Sequence, residues 1–444
     1  MNVYIGVTVL VISFVFVYFW WAYSKKFDLV AWFFSSFGLV FGFGLILSQV
    51  FFEKNSSEGY LVKEFSENYF FDAIIYLPMT FFLLLFTFIG AVFFNIFSKK
   101  LLFSLNEYIF PYWLSDSYNY RRICSIAYLM FFLSFFGYYL YVSPFGGFIE
   151  YLKFSAMVRS GFMDELPPNP FSFLIAFGGF SLISSYLFFS LLRSKFSFFC
   201  LVGFFISFLF SIYVLTSWMG RVAFLFYFMV FLMAFVIKPG SYEPRYRRLV
   251  YLSVFFLVFL FFINDILGRK ASSSIFQLLS MELIFPFVSL KAAIGSVDSF
   301  RLGVDLLAFP IYLLPQRFWV DYLISAEHAN TINIFGSPKG VAGNTSSVPT
   351  DIITISYLNF GYLGIIFVGF YTGFLLGLAD FFCRLFEQKN LREVIYCYFV
   401  LNLAVLLPLY ADPSHIASRF FPIIAFFCLI LVSSTLKRFL KKNI

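Results

Sequence analysis

The residues of this chain best suited to chemistry are cations and acids that stand outside its apolar runs. Between about Asp265 and Asp351 lie Arg269, Lys270, Lys291, Arg301, Arg317, His328 and Lys339. Arg159 falls in a polar stretch from Ser143 to Pro170, Arg221 follows Gly220 at a break between two apolar runs, and Arg419 opens the last one. Guanidinium groups hold phosphate oxygens in paired hydrogen bonds and stabilise the charge that builds on a departing diphosphate. An arginine placed like Arg221, at the membrane end of a span, is costly unless it snorkels or finds an anion. Transfer of a sugar from such a leaving group also needs a base beside the attacking hydroxyl. His328 and Asp351 are the candidates, with Asp321, Glu327, Asp412 and His415 as rivals. No Asp-x-Asp pair or His-x-x-x-His spacing accompanies them, so neither a metal site nor a cofactor is expected.

The elements that must position these groups are membrane helices. In a chain of 444 residues, 61% are hydrophobic and only 12% charged, with a mean hydropathy of +0.89. A soluble protein would carry about a quarter charged residues, so that class is excluded. Apolar runs long enough to cross a ~30 Å hydrocarbon core recur along the whole sequence. About eleven spans are expected (ten to twelve), near 3–22, 29–51, 73–97, 123–143, 171–192, 196–215, 222–237, 249–264, 352–379, 394–411 and 420–436. The first run lacks a preceding basic residue and is followed by Lys25 and Lys26, which marks a retained span rather than a cleaved signal. The 74 phenylalanines serve mainly as lipid-facing and core residues in place of leucine.

Assigning alternate connections to opposite sides places 19 of the 31 Lys and Arg on one side, for a formal charge of +12 against −4 on the other. The positive-inside rule then sets the N-terminus outside and the C-terminus in the cytoplasm. The formal +8 of the chain is therefore a topology signal and not a nucleic-acid footprint. The five cysteines fall in spans or near the basic side, which suggests no disulfide framework.

On this orientation the chain is one polytopic all-α unit over 1–444, with a large outer loop at 265–351. Within the loop, Ile275–Ile294 and Leu302–Leu314, interrupted by Pro286 and Pro310, are expected to lie along the membrane interface. The run Glu327–Thr350, punctuated by Gly336, Pro338, Gly340, Gly343 and Pro349, is expected to be loop.

The order of Gly220-Arg221 opening a span, then Pro315-Gln316-Arg317-Phe318-Trp319, then Val348-Pro349-Thr350 leading into Tyr357-Leu358-Asn359-Phe360-Gly361-Tyr362-Leu363-Gly364 resembles the O-antigen polymerase (Wzy) family. The motifs cover roughly residues 216–365, while the span count and the large loop extend the likeness along the chain. The resemblance implies a multi-pass protein of the bacterial inner membrane with a glycosyltransferase-C-like fold, which makes the outer side, with the N-terminus and the 265–351 loop, periplasmic. It also implies a glycosyltransferase that joins undecaprenyl-diphosphate-linked repeat units at the periplasmic face, with a possible chain-length-determining membrane partner. Arg221 and Arg317 carry over directly, with Pro349 and Asn359-Phe360-Gly361 as shaping elements. Arg301, Arg269, Arg159 and Arg419 complete the expected diphosphate-binding set. One departure is that the paired arginine-then-glycine loop motifs of some members are not evident. An O-antigen ligase and a lipid-linked oligosaccharide flippase are the competing functions.

Overall fold

The computed structural model describes the chain apart from Met1 and residues 53–72, 109–115, 163–165, 238–247, 249, 252–253, 255–274, 297–299, 315–317, 321, 342, 346, 385, 387 and 443–444. At several further helix positions, Arg221 among them, only the backbone is described. Every element among the described residues is helical: α1 (Asn2–Ser24), α2 (Leu29–Phe37), α3 (Gly44–Phe52), α4 (Ala73–Tyr108), α5 (Asp116–Val142), α6 (Phe148–Ser160), α7 (Gly178–Ser194), α8 (Phe198–Trp218), α9 (Arg221–Val236), α10 (Ile275–Ser296), α11 (Val304–Leu307), α12 (Phe309–Tyr312), α13 (Ala326–Phe335), α14 (Ile352–Phe360), α15 (Tyr362–Arg384), α16 (Lys389–Phe399) and α17 (Pro413–Lys442). Eight helical stretches among the described residues are long and apolar enough to cross a membrane, which makes this a multi-pass membrane protein.

Two of the eleven expected spans differ in form. The apolar run 352–379 is two helices, because Gly361 (φ 61°, ψ −139°) ends α14 and turns the chain into α15. The run 394–411 is α16 continued by a π-helical stretch, Val400–Val405, and then turns. Most of 249–264 lies outside the described residues. The run 222–237 forms a helix, but a short one.

Without water to drive apolar surfaces together, membrane helices associate through close packing, and small residues permit it. The tightest pair, α4 against α15, is built this way. A Cβ on Gly373 would lie 1.9 Å from the Thr87 carbonyl oxygen, and one on Gly90 would lie 2.1 Å from that of Phe370. Near the basic ends of α7 and α16, Arg193 pairs with the buried Glu393 (3.1 Å). Asp28 caps α2 by accepting the Val30 N–H at Oδ1 (3.1 Å), and the same oxygen takes the Trp20 indole N–H at 2.6 Å, so its buried carboxylate is hydrogen-bonded.

Ile275–Ile294, expected along the interface, instead enters the bundle as α10. Ile284, Phe285, Phe287, Val288 and Leu290 are at most 4% exposed, and the helix continues through Pro286. Burial against α3 and α14 overrides the weak amphipathic pattern on which the interfacial expectation rested. The short segment around Pro310 forms two single-turn helices, α11 and α12, with Pro310 at the start of the second.

The polar run from Glu327, expected to be loop, begins with a helix. Ser325 caps α13 by accepting the His328 backbone N–H, Glu327 sits in the first turn, and Gly336 closes the helix in the left-handed region (φ 72°). A buried asparagine holds α13 down: Asn330 Nδ2 donates to Ser289 Oγ on α10 (3.0 Å) and to the Val348 and Pro349 carbonyls (both 3.2 Å). The chain leaving this layer is tied to the turn before α17, since the Ala411 N–H donates to the Thr350 carbonyl (2.8 Å).

Candidate functional site

Four segments remote in sequence meet at one end of the bundle: the end of α6, the turn between α8 and α9, the α13 layer, and the start of α17. Arg159, in the last turn of α6, donates from Nη1 to the Trp218 carbonyl at 3.2 Å and approaches the Gly220 position that caps α9. Arg221 is therefore the first residue of a helix whose N-terminus faces Arg159. Two residues beyond Arg159, Gly161 packs on Gly340 with no room for a side chain. A Cβ on Gly340 would lie 2.2 Å from the Gly161 carbonyl oxygen, and both residues hold positive φ, +84° and +85°.

That contact places Lys339 beside Arg159. Burial, and then the Arg159 charge, pull the Lys339 ammonium below its ordinary range. Glu327 on α13 provides a nearby countercharge. Burial alone would raise the Glu327 carboxyl, but the His415 ring, the Ser347 hydroxyl and Lys339 hold it down to about 2.

His415 and Glu327 pair directly through Nε2 and Oε2. Asp412, fully buried, braces both partners. Its Oδ1 caps α17 by accepting the Ser414 N–H (2.7 Å) and hydroxyl (2.6 Å), while its Oδ2 accepts the Glu327 backbone N–H at 2.5 Å. One turn further along α17, Arg419 donates to the carbonyls of His415 (3.2 Å) and Tyr410 (2.8 Å) and lies over the Tyr410 ring. Lys339, His415 and Arg419 thus act on one carboxylate at the level where helices end, with Arg159 beside Lys339.

The remaining sequence candidates are placed differently. Arg301 grips Asp305 in a bidentate pair (2.6 and 2.7 Å) and also reaches the Ile324 carbonyl. Asn359 Nδ2 adds a bond to the same carboxylate (3.1 Å), so Arg301 ties the segment before α13 to α14. Asp351 is fully buried and caps α14, accepting the N–H groups of Ile353 (2.9 Å) and Thr354 (3.0 Å) and the Thr354 hydroxyl. Burial pushes its carboxyl up to about 7. His328 is exposed on the outer face of α13. Arg269, Arg317 and Asp321 lie outside the described residues, and of Arg221 only the backbone is described.

Two features went unread in the sequence. Lys339 was visible as a loop cation, but its place beside Arg159 depends on the Gly161–Gly340 contact. The Glu327–His415 pair joins residues 88 apart, and no local pattern connects them. Among the described residues, no group of three or more His, Cys, Asp or Glu side chains is arranged to hold a metal ion. No protein-family model, no curated protein and no solved structure matches this chain.

Proposed function

We propose that this protein is a membrane glycosyltransferase that joins undecaprenyl-diphosphate-linked oligosaccharide units into O-antigen or a related surface polysaccharide. On this proposal the end of the bundle that carries Arg159 and His415 faces the periplasm of a bacterial inner membrane. The observation that carries it is the convergence of Lys339, His415 and Arg419 on Glu327 at helix ends, with Arg159 from a further segment beside Lys339. A diphosphate on a polyprenyl anchor sits at that depth, where its charge is held by fixed cations while its tail stays in hydrocarbon. Arg221 at the N-terminus of α9 adds a backbone end that favours anions, and Arg317 belongs to the same set through the motif it shares with the polymerase family.

The direct test is gene deletion followed by gel analysis of surface lipopolysaccharide. Lipid A core bearing a single repeat unit supports polymerisation. Bare core points to ligation or flipping, and an unchanged ladder overturns all three.

A further inference from the structure

The Glu327–His415 pair has the form of an activated base. In the neutral ring, a carboxylate on imidazole Nε2 accepts the Nε2–H, which fixes the tautomer and leaves the Nδ1 lone pair free to take a proton. None of the described residues forms a hydrogen bond to Nδ1. The His415 side chain is 41% exposed while that of Glu327 is 14% exposed, so the ring opens outward and its partner is enclosed. Asp412 fixes both members, by capping the helix that carries His415 and by accepting the backbone N–H of Glu327. The charged groups around the ring are Glu327, with Lys339 behind it, from the α13 layer, and Asp412 and Arg419 from around its own helix.

We propose that His415 is the base that accepts the proton of the attacking sugar hydroxyl and that Glu327 is its positioning residue, a proposal that rests on the glycosyltransferase function above. In the step, the acceptor hydroxyl oxygen bonds to the anomeric carbon of the donor as its proton passes to Nδ1 of His415. The bond from that carbon to the diphosphate breaks, and the electron pair leaves on the lipid diphosphate. The imidazolium that forms is balanced by Glu327, and the cations nearby take the new charge on the leaving group. His328, exposed and remote from this carboxylate in hydrogen-bonding terms, has no equivalent support.

The test uses full-length protein in detergent with lipid-linked repeat units extracted from the deletion strain, and measures binding separately with undecaprenyl diphosphate as probe. His415→Ala is expected to slow joining about 100-fold or more while binding the probe within about twofold of wild type. Added imidazole should restore part of that loss, because the truncated ring leaves an open site. Glu327→Gln should lower kcat about 10-fold with KM unchanged, and Glu327→Asp should recover part of it. A His415→Ala protein that joins units within about threefold of wild type overturns the base assignment, as does a slow variant that binds the probe yet ignores imidazole. Wild-type protein that leaves the extracted units unjoined overturns the glycosyltransferase function itself, and the base with it.

Discussion

Replacing Glu327 by Gln keeps the shape of the side chain and removes its charge, so the variant isolates what the carboxylate contributes to stability. Glu327 is 14% exposed, and its carboxyl is held from an ordinary 4.5 down to about 2 by His415 after the opposing effect of burial. While His415 carries its proton, that difference corresponds to about 3 kcal/mol of stabilisation of the charged form. A carboxyl whose folded-state pKa lies below its unfolded value stabilises the fold fully above the unfolded pKa. The contribution is then lost as pH falls through the folded pKa, here between about 4.5 and about 2. Glu327→Gln should therefore unfold at a lower temperature than wild type at pH 7, and the gap should narrow to about half or less by pH 3 and close only near pH 2. The assay is thermal unfolding of both proteins in one detergent across that range, alongside protease cleavage within 326–350, because the pair ties α13 to α17. Equal stability at pH 7 would refute the magnitude. A gap unchanged at pH 3 would show that the loss comes from packing and not from charge.

Arg221→Ala and Arg317→Ala should each abolish long surface chains while the protein remains inserted, and lysine should rescue them poorly because it lacks the paired donors of a guanidinium; full-length polymer from both alanine variants in complementation would remove them from the site. Gly340→Ala forces a methyl to within 2.2 Å of the Gly161 carbonyl oxygen at a positive φ, so it should lower the unfolding temperature and shorten the chains made, whereas Gly295→Ala, with nothing within 4 Å, should leave both unchanged. Asp351→Asn retains a side chain able to cap α14 and should preserve polymer, with at most about 1 kcal/mol lost in thermal unfolding; loss of polymer from a stable Asp351→Asn protein would restore Asp351 as a proton-transfer candidate.

The all-helical, multi-pass character was legible in the sequence because it follows from one strong local requirement. Every backbone polar group in hydrocarbon must be satisfied within its own helix, so spans announce themselves as long apolar runs. The cations relevant to the site were equally visible, since charge stands out against so apolar a chain. Where a run hid a break, as at Gly361, or where an apolar helix turned inward, as α10 does at Ile284–Leu290, the deciding contacts came from other segments. The helix α13 was readable in principle from Ser325, Glu327 and Gly336, but loop residues downstream masked those end signals.

The site itself belongs to the tertiary structure. The sequence by itself supplied the cations and acids from which the proposed site is drawn, and it put forward His328 and Asp351 as bases with Asp321, Glu327, Asp412 and His415 as rivals. Folding separated them by enclosing Asp351 as a cap, leaving His328 on an exposed face, and bringing Glu327 against His415 with Asp412 bracing both. The physical reason is that the basicity and orientation of an imidazole are set by its partners, and the two members of this proposed base lie 88 residues apart, on a surface layer and a membrane helix that meet only when the bundle closes.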